Sequence, residues 1–162
     1  MKIINIHKRV IQQPKPEFAK LFNTLATEND MIVATDKWSP IKLDKGLQVG
    51  SKGGHGPIKY FVTEFKPEKS ITFQFDMPGF NGFHRFELTE LATNKTEISH
   101  IIDMITTGSA TLKWTLAIRW LHDTYIEDAF DKVENHLTKD KKSSNWNLWV
   151  RILRRLIKPK RK

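Results

Sequence analysis

Four segments between residues 58 and 106 alternate apolar and polar side chains, and this pattern limits the possible folds more than any other feature of the chain. They read IKYFVTEF, SITFQFD, FHRFELTEL and TEISHIIDMIT. A period of two residues is the pattern of a strand with one buried face. Short turns such as KPEK and TNK favour antiparallel pairing of neighbouring strands. The sequence therefore predicts an antiparallel sheet.

A long amphipathic helix is predicted after these strands, over residues 110–137, with Ser109 as its N-cap. Its apolar face, from a turn of about 100° per residue, comprises Trp114, Ile118, Leu121, Tyr125, Ile126, Ala129, Val133 and Leu137. Four acidic residues share the other face: Asp123, Glu127, Asp131 and Glu134. Because an antiparallel sheet with an apolar face needs cover, this helix is expected to pack on it.

The N-terminal part of the chain predicts one more strand and a short helix. Ile4 and Ile6, followed less regularly by Val10 and Ile11, indicate an opening strand. A helix is predicted in the segment QQPKPEFAKLFNTLA, with its apolar residues on one face. The expected fold class is therefore α+β, with about six or seven antiparallel strands gripping one long C-terminal helix.

Several stretches resemble a known superfamily. PEFAKLFNTL, YFVTEFKPEKSITFQF and YIEDAFDKVENHL are similar to segments of the START-like, or SRPBCC, helix-grip proteins, which include polyketide cyclases and lipid carriers. GGHGPIKY, GFHRFEL and LHDTYIEDAFD resemble, more narrowly, a group of bacterial SRPBCC proteins. The resemblance covers residues 1–138. It implies a curved sheet around the long helix, with an apolar cavity between them.

The charge of the chain is concentrated at its C-terminal end. The net charge is +9 over 162 residues. Residues 139–162 contain ten lysines and arginines and one acid, Asp140, so they carry +10 − 1 = +9. We therefore expect a nearly neutral ligand-binding domain at 1–138 and a basic tail at 139–162. Because the main domain lacks the excess positive charge of a nucleic-acid-binding protein, nucleic acid is not expected as a partner for it. The lack of cysteine fits a cytoplasmic protein.

Aromatic and histidine side chains are the candidates for the wall of the cavity. The predicted ligand-binding residues are Trp38, His55, Tyr60, Phe73, Phe75, His84, Phe86, His100, Trp114, Ile118, His122 and Tyr125. Trp38 belongs to a segment that would cover the mouth, and His55 lies in a glycine-rich loop, GGHG. In the alternative interpretation these large side chains fill the space and no ligand binds.

Three histidines fall on faces that are expected to point inward. His84 and His100 alternate in phase with apolar strand residues, and His122 lies within the apolar arc of the helix. They could form a structural network with Asp123 or Thr115, hydrogen-bond the polar group of a ligand, or act as general acid and base. A metal site is the weakest alternative, since no motif with ligand spacing is present. No metal or other cofactor is predicted.

These observations leave three classes of function open. The first is binding or carriage of a hydrophobic or amphipathic small molecule, of lipid, polyketide or aromatic type. The second is a cyclase- or hydrolase-like enzyme that uses the cavity histidines, although no nucleophile and base share a recognisable spacing. The third is a protein-interaction module that binds no ligand. Binding is favoured by the resemblance and by the residues expected at the cavity.

The tail is predicted to form an amphipathic helix over residues 145–158. Its aliphatic and tryptophan side chains share one arc, and its basic side chains share the other. This pattern favours contact with an anionic membrane surface through Trp146, Trp149, Arg151, Leu153, Arg154, Arg155 and Lys158. The alternatives are docking on the chain's own domain, a homodimer, or nucleic acid. The expected location is the cytoplasm, with peripheral attachment to the inner membrane face.

Overall fold

The computed structural model describes residues 1–157 and confirms the predicted α+β class. Within this part of the chain, seven strands form one antiparallel sheet in the order β1-β7-β6-β5-β4-β3-β2. The strands are β1 (Lys2–Ile11), β2 (Lys42–Leu43), β3 (Lys52–His55), β4 (Ile58–Lys66), β5 (Ser70–Phe75), β6 (Phe80–Ala92) and β7 (Lys95–Thr106). The four alternating segments are consecutive neighbours, β4 to β7, as their short turns predicted.

Three helical regions accompany this sheet. The first helix spans Lys15–Phe22. The long helix runs from Ser109–Lys113 through a π-helical turn, Trp114–Ile118, into Arg119–Thr138. The tail helix spans Leu148–Ile157. The long helix matches the predicted range, but the N-cap position belongs to Gly108, at φ 54°, rather than to Ser109.

The inward face of strand β1 is apolar at its two ends, where Ile3 and Ile11 are buried, and polar in the middle. Ile4 and Ile6 point outward and are 62% and 51% exposed. Asn5, His7 and Arg9 lie on the opposite face and contact the long helix. The strand is therefore found where the sequence predicted it, but the middle of the face that meets the helix is polar.

The acidic face of the long helix provides the partners for β1. Arg9 Nη1 donates to Glu134 at 2.7 Å and to Asp131 at 3.1 Å, and its Nη2 donates to Glu127 at 2.8 Å. Asp131 and Glu134 are buried. This face of the helix is thus part of the domain interior, where charged groups require paired partners.

The apolar core has two parts. The larger cluster joins the first helix, the middle of the sheet and the C-terminal half of the long helix, and includes Phe86 and Phe130. The smaller cluster joins the ends of β1, β6 and β7 to the start of the long helix, and includes Ile102 and Trp114. Residues of both clusters line one cavity, so the cavity separates the two parts of the core.

The tail docks on its own domain. The rings of Trp146 and Trp38 lie 5.2 Å apart, and both indole N–H groups donate to one oxygen of Asp128 at 2.8 Å. Val150 and Leu153 of the tail helix are buried. Docking on the domain, one of the alternatives for the tail, is therefore the arrangement that the structure contains.

Docking divides the seven residues that were predicted to contact a membrane. Trp146, Leu153 and Arg154 pack against the domain, so they do not form a free surface. Trp149, Arg151 and Arg155 remain exposed. Lys158 lies outside the described residues. No helix within residues 1–157 has the length and apolar character needed to cross a bilayer.

Candidate ligand-binding cavity

A cavity of about 360 Å³ lies between the sheet and the long helix, a volume within the range of small-molecule sites. Ten of the twelve predicted residues line it: Trp38, His55, Phe75, His84, Phe86, His100, Trp114, Ile118, His122 and Tyr125. The other two, Tyr60 and Phe73, are buried behind this wall, and their rings lie 4.7 Å and 4.8 Å from that of His84. Large side chains surround the space without filling it.

Sequence reasoning missed several residues of the wall. Ile102 and Met104 line the cavity on the same face of β7 as His100, so the alternation that identified His100 could have identified them. Arg154 and Ile157 of the tail helix also line it. No local signal in the sequence places the tail at this cavity, because that contact depends on tertiary packing.

Two histidines meet on the sheet side of the cavity. His84 on β6 lies in register with Ile102 of β7, next to the pair of Phe86 and His100. His84 Nδ1 is therefore only 3.2 Å from His100 Nε2. One ring nitrogen of each histidine is occupied by this hydrogen bond, which leaves His84 Nε2 and His100 Nδ1 for another partner.

The long helix adds a third histidine to this group. The ring of His122 lies 4.9 Å from that of His100. Six buried polar atoms of cavity-lining residues lack a hydrogen-bond partner within residues 1–157: His84 Nε2, His100 Nδ1, His122 Nδ1, His122 Nε2, the Tyr125 hydroxyl oxygen and Arg154 Nε. Burial lowers the pKa of His84 and of His100 well below the usual value, so these imidazoles are neutral and can each donate and accept hydrogen bonds.

A fourth histidine, His55 on strand β3, also lines the cavity. His55 Nδ1 lies 3.0 Å from the Tyr60 hydroxyl, and its ring stacks on Tyr125 at 4.9 Å. Burial lowers the pKa of His55 to about 4. Gly54 allows β3 to approach β4 this closely, because a Cβ at this position would lie 1.9 Å from the Ile58 carbonyl oxygen.

The mouth of the cavity carries positive charge. Lys113 of the long helix and Arg154 of the tail helix both line it. The Arg154 guanidinium lies 4.4 Å above the ring of Trp38, and Arg154 Nη2 donates to the Lys37 carbonyl. Burial lowers the pKa of Arg154. This end of the cavity can therefore receive an anionic group, whereas the histidine end suits a neutral polar group.

A fifth histidine, which the sequence pattern did not single out, lies beside this group on β1. His7 Nδ1 is 2.8 Å from Glu127 Oε1, and His7 Nε2 is 3.1 Å from Asp123 Oδ1. Burial alone would lower the pKa of His7, but these two carboxylates raise that pKa to about 9. The His7 ring lies 5.8 Å from that of His122, so a row of side chains connects the cavity to the surface between β1 and the long helix.

Comparisons with known proteins give structural likeness only. No family model matches the chain, and no curated protein matches it. Norcoclaurine synthase from Thalictrum flavum, solved in complex with dopamine and hydroxybenzaldehyde, is similar with a TM-score of 0.64 at 10% identity, over 88% of this chain and 90% of that one. The chain has the helix-grip fold.

Two other solved structures support the same conclusion. A conserved protein of unknown function from Enterococcus faecalis has a TM-score of 0.60 at 12% identity, over 96% of this chain and 82% of that one. The Aha1 dimer from Colwellia psychrerythraea has a TM-score of 0.56 at 15% identity, over 87% of this chain and 98% of that one. At these identities the likeness establishes the fold alone. Membership of the SRPBCC superfamily, and of its narrower bacterial group, stays a prediction.

Proposed function

We propose that the protein binds an amphipathic small molecule in its cavity, with the apolar body against the aromatic wall and a polar group against the histidines. One observation carries this proposal: five buried polar atoms without partners in residues 1–157 belong to His84, His100, His122 and Tyr125, in a cavity lined mostly by apolar side chains. An unpaired buried donor or acceptor costs about 1–3 kcal/mol. A ligand that pairs with several of these atoms recovers that free energy on binding.

The histidines indicate the chemistry of the ligand's polar group. A neutral imidazole offers one donor and one acceptor, so the best match is a hydroxyl, which also both donates and accepts. The norcoclaurine synthase of the same fold is described with two small aromatic molecules, which favours hydroxylated aromatics as first probes. Acid–base catalysis by His84, His100 and His122 stays an alternative, and it requires a demonstrated turnover.

A pair of fluorescent probes tests the proposal. We expect 2-naphthol to bind the wild-type protein about tenfold more tightly than naphthalene, because hydrogen bonds to its hydroxyl group should contribute about 1.4 kcal/mol in total. His84→Phe should reduce this preference and retain naphthalene binding. The matched control is His136→Gln, which changes an exposed histidine and should bind like the wild type.

Two outcomes contradict the proposal. The first is equal affinity of the wild-type protein for both probes, and the second is an unchanged preference in His84→Phe. Thermal unfolding of each variant shows whether the fold is retained. Native mass spectrometry of the purified protein, before and after delipidation, then shows whether a small molecule co-purifies.

We also propose that the protein contacts an anionic membrane through a surface that the tail helix shares with the long helix. This composite patch consists of Leu112, Leu116, Trp120, Leu148, Trp149, Ile152 and Leu156, which are 37% to 76% exposed. Trp149 Nε1 donates to the Leu116 carbonyl at 2.9 Å, so the two helices are in contact. Exposed apolar patches of this kind mark interaction surfaces.

The charge around the composite patch identifies the partner. Lys113, Arg119, Arg151 and Arg155 are exposed beside it, and neither residues 104–122 nor residues 141–162 contain an acid. Each basic residue near an anionic bilayer contributes about 1 kcal/mol, which salt weakens. Lys113 also lines the cavity mouth, so a membrane on this patch would lie close to the entrance for an apolar ligand.

Cosedimentation with vesicles tests the membrane contact. We expect binding to vesicles of phosphatidylcholine with phosphatidylglycerol, weaker binding at high salt, and little binding to phosphatidylcholine alone. The double variant Leu148→Gln/Leu156→Gln should lose binding, whereas Leu91→Gln, an exposed leucine on the β6–β7 hairpin, should retain it. Equal recovery of the double variant would contradict the proposal, as would a concentration-dependent dimer that the double variant abolishes.

A further inference from the structure

Two imidazoles and a carboxylate converge where β1 packs on the long helix. One ligand atom from each of His7, His122 and Asp123 lies within 4.8 Å of the other two. Asp123 Oδ1 is 3.1 Å from His7 Nε2 and 3.6 Å from His122 Nδ1. In a tetrahedral site with bonds of about 2.0–2.1 Å, neighbouring ligand atoms are separated by about 3.3–3.5 Å. The side chains therefore need only small shifts to surround an ion.

Neighbouring groups are placed as they are around known metal ligands. Glu127 Oε1 lies 2.8 Å from His7 Nδ1, the ring nitrogen that is not directed at Asp123. Asn5 Nδ2 donates to Asp123 Oδ1 at 2.9 Å. A carboxylate on the second nitrogen of a ligating histidine fixes its tautomer and strengthens its basicity. The cluster thus contains both the ligands and the groups that orient them.

His122 supplies the independent observation. Its side chain is 11% exposed, and neither of its ring nitrogens has a hydrogen-bond partner within the described residues. A buried imidazole without partners is costly. A metal ion on Nδ1 satisfies one of these nitrogens, and the carboxylates of Asp123 and Glu127 offset the added positive charge.

We infer that His7, His122 and Asp123 form a binding site for a divalent transition-metal ion, with zinc favoured by the two imidazoles and one carboxylate. On binding, the ion replaces the proton of His7 Nε2, which is released to solvent. Three protein ligands leave a coordination position for water or another oxygen ligand. Because His122 also lines the cavity, this site adjoins the proposed ligand site but does not depend on it.

Metal titration of the full chain tests this inference. After treatment with EDTA and its removal, we expect one Zn²⁺ or Co²⁺ per chain by calorimetry, and an intense visible absorption of bound Co²⁺ that reports tetrahedral geometry. His122→Gln and Asp123→Asn should weaken binding by at least about 100-fold, and Glu127→Gln by about 10- to 100-fold. The control His136→Gln should bind as the wild type does.

The outcomes separate a metal site from an ion pair within the protein. Failure of the wild type to bind either ion at one equivalent would overturn the inference, and so would unchanged binding in His122→Gln. If Asp123→Asn unfolds, the affinity of His122→Gln and the cobalt spectrum of the wild type still test whether these residues bind a metal ion. Repeating the naphthol titration in EDTA separates the two proposals, because the preference for the hydroxyl should persist without metal.

Discussion

Arg9→Met removes the one cation that joins three acidic groups of the long helix to strand β1. The guanidinium contacts Glu134 at 2.7 Å, Glu127 at 2.8 Å and Asp131 at 3.1 Å. Methionine keeps much of the length of the arginine stem without its charge. The substitution therefore leaves buried carboxylates facing an apolar side chain.

The structure sets the expected size of the effect. Removing one partner of a buried ion pair costs about 3–5 kcal/mol. Two of the three carboxylates keep another cationic partner, since Glu127 contacts His7 and Glu134 contacts Lys142. The lower end of this energy range therefore applies. We expect the free energy of unfolding to fall by about 3 kcal/mol, a large part of the total for a domain of this size.

Urea unfolding provides the measurement, and the neighbouring residue provides the control. Lys8 points to the other side of β1, is exposed, and makes one ion pair with Glu97 at 2.9 Å. Lys8→Met should therefore cost less than about 1 kcal/mol, with the denaturant slope unchanged in both variants. A loss in Arg9→Met that is no larger than the loss in Lys8→Met would refute the reasoning.

Two further predictions concern the tail and pH. Asp128→Ala should free the tail, because it removes the oxygen that accepts the indole N–H groups of Trp38 and Trp146. Tryptic cleavage within residues 139–142 should then be about tenfold faster than in wild type, and an equal rate would show that these hydrogen bonds do not hold the tail. In EDTA, the free energy of unfolding should fall by about 1–2 kcal/mol as pH rises from about 6.5 to 9. The folded state raises the pKa of His7 to about 9, so over this range it holds a proton that the unfolded state releases. His7→Gln should abolish that slope, and an undiminished slope would assign it to another group.

Local patterns determined most of the architecture. Alternation in β4 to β7 and the short turns between them were sufficient to predict consecutive antiparallel strands, because side-chain period and connection length constrain a sheet directly. The same alternation placed His84 and His100 on one face, and the helical period placed His122 opposite them. These predictions depended only on residues close together in the chain.

Tertiary structure decided which face of β1 and of the tail helix is buried. Alternation cannot distinguish the two faces of β1, and only the opposing acids of the long helix make Arg9 and His7 the interior ones. Those partners lie more than 110 residues away in the chain. The tail helix likewise has an apolar arc wide enough for two contacts, and the choice of the Trp38 surface depends on Asp128 and on the space beside the cavity. Pairings between distant residues carry no local periodicity, so burial of charge and the docking of the tail appear only when the whole chain is packed.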